Sequence, residues 1–137
     1  MRIDFDLAQP IYQQIIDEFR RAIARGELAP GERIMSQREL AQKARVNPNT
    51  VQRAYREMEQ MGLTETLRGQ GSFVRNDPTL VRRIREEMAR EAVDLFVREM
   101  RALGLADDEI LAMAAQALQQ SAGARRREEE NDDGHKA

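Results

Sequence analysis

Residues 36–74 read SQRELAQKARVNPNTVQRAYREMEQMGLTETLRGQGSFV, and the order of signals within them decides the fold. Ser36, with Glu39 three residues on, is a capping box in which each side chain can satisfy a free backbone N–H at a helix start. Leu40 and Ala41 then face inward, while Arg38 points outward. Ala44-Arg45-Val46 is a short turn. Asn47 caps the next helix, and Pro48 suits its first position, where no amide donor is needed. Val51, Ala54, Tyr55 and Met58 form the inward stripe of that helix at a period near 3.6. Gly62 after Met61 is a helix stop. Leu63 to Leu67 and Ser72 to Val74 read as two short strands around the turn Arg68-Gly69-Gln70-Gly71. A capped helix, a tight turn, a second capped helix and a hairpin predict a winged helix-turn-helix, with double-stranded DNA as the first partner to consider.

Toward the N-terminus, Pro10 fits the first turn of a helix, and Ile11, Ile15, Ile16, Phe19 and Ile23 recur at helical spacing up to a stop at Gly26. Leu28-Ala29-Pro30-Gly31-Glu32-Arg33 is a turn. Toward the C-terminus, Asn76-Asp77-Pro78 is both a linker and a helix start. Leu80, Ile84, Met88, Ala92, Leu95, Phe96 and Leu103 then mark one long amphipathic helix ending near Gly104. Asp107 caps a shorter helix carrying Ile110, Leu111, Ala114 and Leu118. Ser121 to Ala137 holds Arg125-Arg126-Arg127, Glu128-Glu129-Glu130 and almost nothing apolar, which predicts a disordered tail. The expected organisation is therefore mostly α with a small β-wing. It comprises a DNA-binding domain over 1–77, a two-helix dimerisation region over 78–120 and a tail over 121–137.

Composition narrows the function classes. The 137 residues leave no room for a large catalytic or ligand-binding domain beside a DNA reader. No cysteine is present, which excludes disulfides, thiolate metal sites and cysteine nucleophiles. The start Met1-Arg2-Ile3-Asp4-Phe5-Asp6 lacks the pattern of a signal peptide, and no run approaches the ~20 apolar residues of a membrane span. A cytoplasmic protein with no membrane partner, no cofactor and no metal is expected. The net charge of −2 is unevenly spread. Residues 38–75 hold seven basic and four acidic groups, a balance of +3, whereas residues 78–137 hold ten basic and thirteen acidic, a balance of −3. Phosphate contact depends on that local charge, so the acidic whole does not oppose DNA binding.

Gly26-Glu27-Leu28-Ala29-Pro30-Gly31-Glu32-Arg33, Ser36 to Ala41 and Val46-Asn47-Pro48-Asn49-Thr50-Val51, in this order, resemble the GntR family of bacterial transcription regulators. Arg68 to Val74 looks like that family's wing, and the resemblance covers roughly residues 9–75. The Asn-Pro-Asn-Thr-Val helix start, Arg53-Ala54-Tyr55 and a tail of only two helices are similar to the YtrA-like subfamily. That resemblance implies a dimeric repressor of an operon such as one encoding an ABC transporter. One departure is Met35, where the family commonly has proline; its loss could loosen the loop entering the second helix without removing the cap at Ser36.

In a helix-turn-helix, the N-terminal residues of the recognition helix reach base edges while neighbours fix the register on phosphates. Asn49, Thr50, Gln52 and Arg53 are the candidates. Asn and Gln suit adenine and Arg suits guanine, each good pair contributing ~1–3 kcal/mol of discrimination. Asn47 reads as a cap before a base contact, and Arg53 equally as a salt-bridged or solvated side chain. Arg38 resembles the family arginine that binds phosphate, with an ion pair to a nearby glutamate as the alternative. Ser36 is a cap first and a phosphate donor second. Gly69 and Gly71 would let the wing backbone approach the minor groove with Arg68 and Gln70 beside it, or would simply serve the turn.

Leu80, Ile84, Met88, Leu95, Phe96, Leu103, Ile110, Leu111 and Leu118 are expected to bury themselves against a second copy, because a two-helix appendage has little else to cover them. A C2 dimer would place two recognition helices ~34 Å apart, matching a palindromic or pseudo-palindromic operator. An effector small molecule, if used, would bind at that interface or near Asn76 to Pro78. The rival readings are an enzyme and a winged helix used only for protein contact. The first is opposed by the single histidine, His135, lying in the tail, the second by the outward Asn49, Gln52 and Arg53.

Overall fold

The computed structural model describes residues 3, 5, 6 and 8–135. Met1, Arg2, Asp4 and Leu7 of the N-terminal stretch, and Lys136 and Ala137 of the expected tail, lie outside the described residues. The elements are α1 (Ile11–Ala24), α2 (Gln37–Ala44), α3 (Pro48–Gln60), β1 (Thr64–Leu67), β2 (Gly71–Val74), α4 (Leu80–Ala102) and α5 (Asp107–His135). The chain forms two compact units that divide within α4, between Arg90 and Glu91.

The first unit is built on the packing of α1 against α3. α1 buries Ile15, Ile16, Phe19 and Ile23, and α3 buries Val51, Ala54, Tyr55 and Met58, all in one apolar cluster. Both stripes recur every three to four residues, so each helix presents one apolar face inward. The Phe19 and Tyr55 rings meet edge to face, with centroids 5.8 Å apart at 86°. Gln14 ties the chain start to α1: its amide donates to the carbonyls of Asp6 at 2.5 Å and Gln9 at 2.9 Å, and its oxygen accepts from the Asp6 amide at 2.7 Å.

β1 and β2 are antiparallel, with Thr64 opposite Val74 and Leu67 opposite Gly71. The segment expected as a plain turn contributes a third extended stretch beside them. Arg33 bridges Phe73, the Ile34 amide donates to the Ser72 carbonyl at 2.9 Å, and the Val74 amide donates to the Glu32 carbonyl at 2.8 Å. β2 is thus bonded on both edges. That holds the base of the hairpin while its tip projects.

Two expectations for α4 need correction. Leu80 and Ile84 do not lie on a free surface: they are 0% and 2% exposed in the apolar cluster of the first unit, and Met88 packs against the same cluster half-buried. The Arg85 guanidinium donates to the Ala24 carbonyl at 3.1 and 3.0 Å, satisfying a C-terminal acceptor of α1. The opening turns of α4 therefore close the core of the first unit, which carries the boundary past residue 77 to Arg90. Asn76 to Pro78 belongs to that unit rather than to a hinge beside it. There the Asp77 carboxylate accepts from the Thr79 amide at 2.9 Å and the Thr79 hydroxyl at 2.8 Å, which holds its pKa below the ordinary carboxylate value.

In the second unit, α4 is closed beyond Ala102 by the Leu105 amide bonded to the Met100 carbonyl at 3.2 Å and the Gly104 amide to that of Arg101 at 3.0 Å, the paired bonds of a Schellman end. Asp107 is not the cap expected of it. It is the first residue of α5, and its carboxylate takes both Nε and Nη2 of Arg101 at 3.1 Å. The Ala106 amide is served instead by Glu109 at 3.2 Å. The expected disordered tail is likewise corrected, since α5 runs on as helix to His135. Ala, Arg and Glu supply eight of the fifteen residues from Ser121 to His135, and these favour helix even where no face is apolar. No helix among the described residues is long and apolar enough to cross a membrane.

Candidate nucleic-acid interface

α2 and α3 are positioned by their own starts. The Ser36 hydroxyl accepts from the Glu39 amide at 3.1 Å and lies 3.3 Å from the Glu39 carboxylate, to which it donates. The return half of the capping box thus runs through the hydroxyl. Leu40 and Ala41 anchor α2 in the core. The turn is made by Arg45, which takes the left-handed conformation at φ 53°, and the Val46 amide returns to the Ala41 carbonyl at 3.1 Å. Asn47 then caps α3 by accepting the Asn49 amide at 2.9 Å, and Pro48 occupies the first position. The Asn47 oxygen is therefore committed to the backbone.

With Val51, Ala54, Tyr55 and Met58 turned inward, the opposite face of α3 exposes Asn49, Gln52, Arg53 and Arg56, while Thr50 is half-buried. Asn49 and Gln52 line an open groove of about 560 Å³ between α3 and α2, together with Gln37, Arg38 and Gln42. Polar amides and a guanidinium over a floor of Ala41, Val46 and Pro48 are able to donate to and accept from base edges. Arg38 is exposed and forms no ion pair among the described residues, so it is open to phosphate. Arg53 lies outside this groove. Its guanidinium sits 3.7 Å above the Tyr12 ring, and its Nε pairs with Glu57 at 3.2 Å.

Tyr55 locks α3 to the loop entering α2. Its hydroxyl donates to the Met35 carbonyl at 2.5 Å. Burial raises its pKa above the ordinary phenol value, and the charge of Glu39 adds to the shift. The phenol is therefore a neutral donor, and it fixes the loop that a proline at position 35 would have stiffened.

At the wing, Arg68, Gly69 and Gln70 are exposed at the hairpin tip. Gly69 and Gly71 have φ of 79° and 116°, a region that costs residues with a Cβ ~1–2 kcal/mol. A Cβ on Gly71 would also come within 3.1 Å of the Arg33 guanidinium, so these glycines serve the turn whatever else they do. Thr66 bonds Glu59 at the end of α3 and meets the Ser72 hydroxyl at 3.1 Å, joining wing and recognition helix. Sequence reasoning missed Tyr12 and Arg33. Each acts on a partner about 40 residues away, and no local pattern marks such a pair.

A helix-turn-helix with a polar outer face, a tethered wing and an exposed arginine, Arg38, in the groove defines a DNA reader of the winged-helix class. Residues 11–74 match the bacterial regulatory proteins of the gntR family. The chain is similar to YhcF of Bacillus subtilis, described as an HTH-type transcriptional regulator, with 43% identity over 107 residues that make up 78% of this chain and 88% of the relative. It shares 43% identity over 74 residues with the HTH-type transcriptional repressor YtrA of the same organism, covering 54% of this chain and 57% of YtrA. Among solved structures, a GntR family transcriptional regulator from Listeria monocytogenes superposes with a TM-score of 0.75 at 35% identity, over 82% of this chain and 98% of that one. The chain belongs to the GntR family and is a DNA-binding transcription regulator rather than an enzyme.

Proposed function

We propose that this regulator is a homodimeric repressor that reads a palindromic or pseudo-palindromic operator near the operon it controls, such as one encoding an ABC transporter. Asn49 and Gln52 read base edges, Thr50 and Arg53 support them, and Ser36 and Arg38 hold phosphate. Arg68, Gly69, Gln70 and Gly71 bring the wing to the adjacent groove. The observation that carries the reading is the α3 outer face, where a capped, well-anchored helix leaves Asn49 and Gln52 exposed over an open groove. YtrA, which shares this part of the chain, is named a repressor, and that supports the direction of control.

Dimerisation is supported by the second unit considered alone. Phe96, Leu111 and Leu118 line an apolar groove of about 470 Å³ together with Ile110, which is itself buried within the chain rather than left for a second copy, and Leu103, Leu111 and Leu118 are 77%, 73% and 71% exposed. Leu95, 51% exposed, adds to this apolar surface, and clustered exposed apolar side chains are the mark of a contact site. Leu80, Ile84 and Met88 are excluded from that surface because the first unit covers them. The same groove is the place for an effector small molecule, which would have to be largely apolar. The test is footprinting of upstream DNA: two protected half-sites one helical turn apart are expected, and a single unsymmetrical half-site would contradict the dimeric reading.

A further inference from the structure

Arg53 is held from two sides. The Tyr12 ring of α1 lies against its flat face at 3.7 Å, and Glu57, one turn on in α3, takes Nε at 3.2 Å. Its Nη1 and Nη2 hydrogen-bond no group among the described residues, and the side chain is 51% exposed. The side of α3 on which it lies also follows from its neighbours. Gln52 lines the groove shared with α2, whereas Arg53, about 100° further round the helix, meets α1, so Arg53 lies on the α1 margin of the recognition helix.

A helix about 10–12 Å across fills a major groove ~12 Å wide, so a side chain at its margin meets the groove wall, where the phosphates are. From this placement we propose that Tyr12 is a positioning residue for DNA binding. Stacked under Arg53, with Glu57 fixing the other edge, it aims the Nη1/Nη2 pair at a backbone phosphate. Stacking preserves the planar fork that suits bidentate contact with phosphate oxygens and restricts a side chain that would otherwise lose rotamer freedom on binding. Glu57 sets orientation at the cost of partly offsetting the charge. The proposal rests on α3 being the recognition helix.

The test is fluorescence anisotropy of the full chain on a duplex taken from upstream of its own gene, at several salt concentrations, with thermal melting of each variant. Arg53→Ala is expected to lose about tenfold in affinity for each half-site it contacts, as for one charge-assisted hydrogen bond. It should also lower the slope of log K against log salt by about 0.9 for each phosphate contact removed. Tyr12→Leu should shift both quantities the same way, Tyr12→Phe should stay near the unaltered chain, and Tyr12→Leu combined with Arg53→Ala should be no weaker than Arg53→Ala alone. Additive losses in the double variant would overturn the positioning role. An unchanged salt slope, with the loss confined to duplexes carrying one particular base pair, would overturn the phosphate assignment. If Tyr12→Leu melts too low to assay, Arg53→Lys decides: it keeps the charge but not the plane, and undiminished affinity would overturn the proposal. Failure of the unaltered chain to bind in a salt-sensitive way would instead remove the recognition-helix reading on which the proposal rests.

Discussion

Replacing Leu80 by alanine separates the two roles that the periodicity of α4 allows. Leu80 is 0% exposed within the cluster that includes Met58, Leu63, Val74 and Ile84. Truncation removes three carbons from that environment, a transfer loss of about 2.4 kcal/mol at ~0.8 kcal/mol per carbon. A residual void of roughly 60 Å³ adds about 1.4 kcal/mol at ~24 cal/mol per Å³, for a total near 3–4 kcal/mol. In a unit ending at Arg90, that corresponds to a fall in melting temperature of roughly 12–32 °C, at ~4–8 °C per kcal/mol. The assay is circular-dichroism melting at several protein concentrations, with sedimentation at low temperature. The core assignment predicts this fall at every concentration and no change in assembled mass. A fall of under about 4 °C, or a halved mass with the monomer otherwise stable, would refute it and restore Leu80 to an interface.

Other perturbations test separate links. Tyr55→Phe deletes the hydroxyl that donates to the Met35 carbonyl and should cost ~1–2 kcal/mol in denaturant unfolding, whereas an unchanged midpoint would mean that water serves the carbonyl equally well. Ser36→Ala removes the α2 cap and should cost ~1 kcal/mol, read from the same unfolding curves. Leu111→Asp, with Leu118→Asp as a second variant, should halve the sedimenting mass at micromolar concentration and leave helicity intact. A full-sized assembly from both would count against the apolar groove as the contact. The Asp107 pKa is lowered because Arg101 hydrogen-bonds and attracts its carboxylate. Its stabilising effect on the α4–α5 turn is thus present above the unfolded pKa and lost as pH falls through the folded one. The carboxyl carbon shift should titrate below the ordinary aspartate midpoint and return to it in Arg101→Ala.

What could be read from the sequence was local. Ser36 and Asn47 announced helix starts through side chains that bond their own backbone, and Gly69 with Gly71 announced a turn needing positive φ, so α2, α3 and the wing were visible without tertiary information. The apolar period of α4 showed that one face is covered but not by what. Leu80 and Ile84 meet the core of their own unit, while Phe96 and Leu95 remain open. In the charged C-terminal stretch, the lack of apolar residues argued against packing, which was mistaken for an argument against helix. Met35 gave a further lesson: a missing proline suggested a loose loop, yet Tyr55, twenty residues away, supplies the restraint. The Tyr12–Arg53 stack was invisible for the same reason, since nothing near either residue reports the other.

The central claim is that the α3 outer face reads DNA sequence. Fluorescence anisotropy of the purified chain on the duplex upstream of its own gene, against a scrambled duplex and an Asn49→Ala, Gln52→Ala variant, tests it most directly. Tight, salt-sensitive binding to the upstream duplex is expected, falling to the scrambled level in the variant, with each lost base contact worth ~1–3 kcal/mol. Equal affinity for both duplexes, or full sequence preference in the variant, would contradict it.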